Sequence, residues 1–152
     1  MENIDKLKLL LFAFSPVIIS KLFSHVLWVG MEISFLSILF CIYWYYVGYK
    51  SYDYSESVRE SILLGNSFAI LSIILMLFQI AIMDGYMFNI IGTIPQIFYL
   101  PMVRVSSWIN SFILLFVRYT TNSLIIDIIS FVLMIILYSS GYHLAKTFNE
   151  GK

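Results

Sequence analysis

The stretch SILLGNSFAILSIILMLFQIAIM, residues 61–83, carries no charged residue from end to end. A helix needs about 20 mostly apolar residues to cross ~30 Å of hydrocarbon. This stretch meets that length, and two others read the same way. Residues 29–48 hold Glu32 as their only charge, and residues 124–145 hold only Asp127.

The rest of the chain agrees with these three. Of 152 residues, 61% are hydrophobic and 12% charged, against roughly half and a quarter in soluble domains. The mean hydropathy is +0.90. A chain this small cannot hide so much apolar surface in one core facing water. Part of its solvent is therefore lipid, which excludes a soluble enzyme, a nucleic-acid-binding module and a disordered linker. Nine basic and nine acidic residues cancel, so there is no basic field to attract nucleic acid. The lone Cys41 excludes an internal disulfide, a redox pair and a cysteine-based zinc site. Isoleucine is abundant, while alanine occurs only at positions 13, 69, 81 and 145. That bias is what an AT-rich bacterial genome would encode, and with the apolar stretches it makes a bacterial cell membrane the expected location.

At the N-terminus, Lys6 and Lys8 precede an apolar run that resembles a signal peptide, but no small-residue cleavage site follows it. Residues 7–23 are read as a retained, short span with snorkelling lysines and a kink at Pro16. Residues 86–118 are ambiguous. Pro95, Pro101 and Arg104 divide them into pieces too short to cross singly. Over 103–118, Arg104, Ser107, Ser111 and Arg118 share one helical face, and Val105, Trp108, Ile109, Phe112, Leu115 and Phe116 fill the other. That is an amphipathic segment, interfacial or re-entrant.

Positive charge selects among topologies. If residues 86–118 return to the side they left, Lys6, Lys8, Lys50, Arg59, Lys146 and Lys152 share one face. The expected fold is accordingly all-α. It is one multi-pass domain of four transmembrane helices plus the amphipathic segment, with both termini cytoplasmic; five crossings is the alternative. Trp28 marks the outer end of the second helix, and Tyr43, Trp44, Tyr45, Tyr46 and Tyr49 crowd its inner end as an interfacial belt. Ser57 and Glu60 fit a capping box opening the third helix, and Asn122 or Ser123 fits a cap for the last.

Several residues are candidates for more than packing. Ser61, Gly65 and Ala69 recur every four residues and would let a neighbouring helix approach closely. Packing within the chain is preferred over a dimer seam, because one chain already has four helices to pack. Glu32, Arg104 and Asp127 would gather near the outer boundary as a polar vestibule. The competing reading of both acids is structural, since each lies near its helix start, where the dipole favours negative charge. Asn66 and Gln79 lie about 140° apart on the helical wheel, and Asn66 could meet Ser139, Ser140 or His143. His25 and His143 fall at opposite ends and cannot share a metal. No catalytic, cofactor-binding or metal-binding motif is present.

The expected function is that of a non-catalytic accessory, assembly or immunity-type protein, held in the lipid bilayer and binding other membrane proteins or itself. The alternative is an oligomeric channel or transporter subunit using the vestibule. A membrane-embedded enzyme ranks last, because nothing brings an acid and a base together.

Overall fold

The computed structural model describes the backbone of residues 2–28, 33–82, 90–117 and 123–151, with side chains over 4–24, 34–82, 92–117 and 124–151. Among these residues there is no β-strand. Seven helices follow in order. They are α1 (Glu2–Trp28), α2 (Ile33–Ser51), α3 (Val58–Gly65), α4 (Ser67–Ile82), α5 (Ile90–Tyr99), α6 (Val103–Leu114) and α7 (Ser123–Glu150). Short 3-10 turns at Tyr52–Tyr54 and Leu100–Met102 lead from α2 toward α3 and join α5 to α6. The side chains of His25, Trp28, Glu32, Arg118, Asn122, Ser123 and Lys152 lie outside the described residues.

The protein is all-helical, with three helical runs long and apolar enough to cross a membrane, or four if the bent pair α3–α4 is one span. The single runs are Ile4–Ser24, Gly92–Leu114 and Leu124–Glu150. Two of these differ from the sequence expectation. The first helix extends well beyond 7–23, and Pro16 sits inside it without ending it. The proline-bearing segment is helical over 23 residues, unbroken at Pro95 and turning only at the 3-10 stretch Leu100–Met102 that holds Pro101. Pro95 lies within α5, and Pro101 occupies the early 3-10 position where a missing N–H costs least. The second helix is absent from the three runs, although it has 19 residues. Its second half is the tyrosine- and tryptophan-rich stretch ending in Lys50, whose polar atoms lower its hydropathy.

The third expected helix is broken. Asn66 separates α3 from α4 with a bend of 55°. Its side-chain Nδ2 donates to the Ile62 carbonyl at 3.0 Å, and its own backbone N–H goes to the same oxygen at 3.0 Å. Such local bonding lets asparagine compete with a regular helix. The capping box holds in part: Ser57 Oγ accepts from the Glu60 N–H at 3.2 Å. The Glu60 carboxylate reaches back to the Glu56 N–H, one residue earlier than the usual partner.

Helix directions follow from the cross-contacts. Trp44 bonds Met134, Gly48 meets Tyr138, and Tyr52 stacks edge-on against Tyr142. The numbers rise together, so α2 and α7 are parallel. Lys6 pairs with Glu60 and Phe14 with Phe68, so α1 runs parallel to α3–α4. Phe12 meets Tyr54 while Ile19 and Phe23 line a cleft with Leu36 and Phe40, so α1 opposes α2. The start of α1, the 51–60 loop and the end of α7 therefore share one end of the bundle. The end of α4 and the start of α7 share the other.

The chain between them must leave and return at the same end. α5 descends beside α4 until Tyr99 bonds the Ala69 carbonyl at 2.7 Å and Met102 meets Cys41. α6 then climbs back: Arg104 reaches Ser34 near the start of α2, and Ser106 meets Ser130. Length and apolarity would let Gly92–Leu114 cross; its contacts fold it into a hairpin. The core lies at the hairpin's tip, where Phe98, Tyr99 and Met102 pack with Trp44, Met134 and Tyr138.

Candidate functional site

The two faces of the 103–118 segment differ in burial, and the apolar one is turned outward. Phe112 on α6 is 62% exposed, and Leu115 and Phe116, just past its end, are 76% and 74% exposed. Ser106 and Asn110, one helical turn apart, are buried instead. In water such a helix would be inside out. In lipid it is the favourable arrangement, with apolar side chains toward the tails and polar ones toward protein.

Those buried polar groups meet α7. Ser106 and Ser130 share a hydroxyl–hydroxyl bond of 2.7 Å, and Ser130 also donates to the Ile126 carbonyl at 2.9 Å. Ser130 therefore accepts the Ser106 proton. One turn earlier on α7, Asp127 is only 6% exposed. Because α6 and α7 are antiparallel, Asn110 comes level with Ile126 and Asp127. Because α2 and α7 are parallel, Ser37 does too: it stands one heptad before Trp44, as Asp127 stands one heptad before Met134. Ser37 is fully buried.

Of the expected vestibule, then, Asp127 and Arg104 lie toward the same end, and Glu32 lies outside the described residues. Arg104 does not pair with Asp127. It is exposed, donates to Ser34 Oγ at 3.3 Å and lies 6.0 Å from the Trp108 ring centre. Sequence reasoning missed Ser106 and Ser130 as partners. The signal available was spacing: Ser106 with Asn110, and Asp127 with Ser130, each about one turn apart.

The small-residue seam is used inside the chain. Ser61, Gly65 and Ala69 are all buried. Tyr138 donates to the Ser61 carbonyl at 3.0 Å and also meets its hydroxyl at 3.1 Å. Ser61 passes its proton to Ser51 at 2.8 Å, and Ser51 donates to the Gly48 carbonyl at 2.6 Å. A Cβ at Gly65 would fall on the Tyr138 phenol oxygen. Asn66 does not meet Ser139, Ser140 or His143: its amide turns onto its own helix, and its buried Oδ1 has no hydrogen-bond partner.

The end of the bundle that holds the chain's termini is polar. Lys6–Glu60, Lys8–Asp5, Lys50–Asp53 and Lys146–Glu150 are surface ion pairs. Among the described residues no group of three or more His, Cys, Asp or Glu is placed to hold a metal ion. No family model matches the chain, and no curated protein or solved structure matches it either.

Proposed function

We propose that this chain is a non-catalytic, multi-pass protein of the cell membrane that acts by binding other membrane proteins, as an accessory, assembly or immunity-type factor. In this reading α1, α2, α3–α4 and α7 cross and the α5–α6 hairpin is re-entrant. α2 belongs with the crossings because it lies alongside α7, the longest apolar run, in parallel register. Lys6, Lys8, Lys50, Arg59 and Lys146 fall toward the end with the termini, against Lys21 and Arg104 toward the other, so the termini are cytoplasmic by the positive-inside rule.

The observation that carries a binding role over transport is the filled axis. Trp44, Tyr99, Tyr138, Met102 and Met134 are all fully buried at its centre. Among the described residues this plug fills the middle of the axis where a water path would have to run. The surface available for partners is lateral, including an apolar cleft of about 310 Å³ where Phe14, Leu71, Leu75, Ile94 and Ile97 meet between α1, α4 and α5.

A photo-crosslinking residue at Ile94, introduced in cells, tests this. The expected result is one discrete adduct with another membrane protein, lost on denaturation before irradiation. A chain that forms no adduct and purifies alone would refute it. Liposomes holding the purified protein should pass neither ions nor small solutes under a gradient; a flux would move the assignment to the channel or transporter class.

A further inference from the structure

We infer that Arg104 holds the phosphate of an anionic phospholipid at the seam between α2 and α6, in the leaflet at the end of the bundle away from the termini. The inference rests on the crossings proposed above and goes beyond partner binding.

The depth of Arg104 sets the problem. Ser106 meets Ser130 across antiparallel helices, so Arg104 comes level with Val132. That level lies about 13 Å below the start of α7 at Ser123, at 1.5 Å per residue. A charge rooted so far inside a span either pairs with an acid or snorkels to the boundary. Arg104 snorkels: its Nε donates at 3.3 Å to Ser34, the second residue of α2. Among the described residues no carboxylate pairs with it, and it stays exposed on the outside of the bundle.

What the side chain still offers decides the ligand. With Nε committed, the two terminal nitrogens remain as a planar fork that matches two oxygens of a phosphate. Ser34 accepts in its bond to Arg104, so its own hydroxyl proton is available to an oxygen held beside the guanidinium. Lipid phosphates crowd this level on every outward-facing side. Trp108, exposed one turn nearer the boundary with the guanidinium 6.0 Å from its ring centre, is a residue type that anchors there. Below Ser34 along α2, Ile38 and Ile42 are exposed and give the acyl chain an apolar track. One uncompensated positive charge suits a headgroup of one net negative charge. The ammonium of a zwitterionic headgroup would find no described carboxylate at this seam.

The test uses the full chain purified in a non-ionic detergent. Phosphatidylglycerol and phosphatidylethanolamine with the same acyl chains are titrated in, and bound lipid is counted by native mass spectrometry. One phosphatidylglycerol should bind ahead of any phosphatidylethanolamine. Arg104→Gln should weaken that first binding about tenfold with an unchanged circular dichroism spectrum. Arg104→Lys, which keeps the charge and loses the fork, and Ser34→Ala should each weaken it by less. Lys21→Gln, at an exposed cation of α1 toward the same end, should bind like the parent. Equal affinity for the two lipids, or parental binding by Arg104→Gln, would overturn the inference and leave the guanidinium to a carboxylate on a partner protein. Displacement of the lipid by soluble glycerol phosphate would make this a free-anion site and overturn it as well. So would a large gain of binding in Glu32→Gln, which would assign Arg104 to that acid. No partner protein is present in the assay, so its failure leaves the partner-binding reading standing.

Discussion

Gly48→Ala should destabilise this protein, although helix propensity alone says the opposite. Replacing a mid-helix glycine by alanine favours the helix by about 1 kcal/mol. At Gly48, however, the new Cβ would fall on the Tyr138 carbonyl oxygen, with the carbonyl carbon at 2.7 Å and Cα at 2.8 Å. These are backbone atoms of α7, so no side chain can swing aside. Gly141 faces the same seam from the other helix, where its Cβ would fall on the Tyr45 carbonyl, 2.8 Å from the Tyr49 nitrogen. The two helices must separate, and overpacking of this kind costs about 1–3 kcal/mol. Separation also strains the bond of 3.0 Å from Trp44 Nε1 to the Met134 carbonyl, worth about 1 kcal/mol. The packing terms exceed the propensity gain, for a net loss of about 2 kcal/mol. Reversible unfolding in mixed micelles, followed by tryptophan fluorescence, would measure it. Gly151→Ala is the control, since its Cβ meets only the Thr147 carbonyl at 3.1 Å near the chain end. A Gly48→Ala protein as stable as the parent would refute the backbone contact between α2 and α7. The Gly48→Ala/Gly141→Ala pair should cost less than the sum of the singles, because the first substitution already parts the seam.

Other substitutions probe the half of the bundle that holds the 51–60 loop, and the topology. Asn66→Leu should cost under about 0.5 kcal/mol or stabilise, because it removes an orphaned buried oxygen while Ile62 keeps its backbone donor; a loss above 2 kcal/mol in the same assay would show that the bend itself is needed. Tyr138→Phe should cost about 1 kcal/mol, since Ser61 retains Ser51 as a partner. Removing the ring as well, in Tyr138→Leu, should lessen the penalty of Gly65→Ala, whose Cβ falls on the phenol oxygen and the ring carbon that bears it; equal penalties in both backgrounds would contradict that contact. In a Cys41→Ser background, single cysteines at Ser57, Thr121 and Glu150 can be labelled from outside intact cells. Only position 121 should react, and labelling at 150 alone would establish five crossings.

Much of the class of this protein was legible in its residues. Uncharged or singly charged apolar stretches, such as 61–83 and 124–145, declare a lipid environment through length and transfer energy alone. The cap at Ser57 was legible because it depends on neighbours within one turn. The small residues at 61, 65 and 69 announced a close approach but not the Tyr138 side chain that exploits it. The break at Asn66 was not readable either: an asparagine in an apolar run can face a neighbour or bond its own helix, and only the surroundings choose. The pattern on α6 showed two faces but could not say which points inward, since period reports asymmetry and the solvent decides its sign. The gathering of Ser37, Asn110 and Asp127 depends on helices distant in sequence. Hydropathy determined which segments can enter the bilayer. Tertiary register decided that α2 and α7 run side by side, that the proline-bearing segment folds back, and that these polar groups share one level.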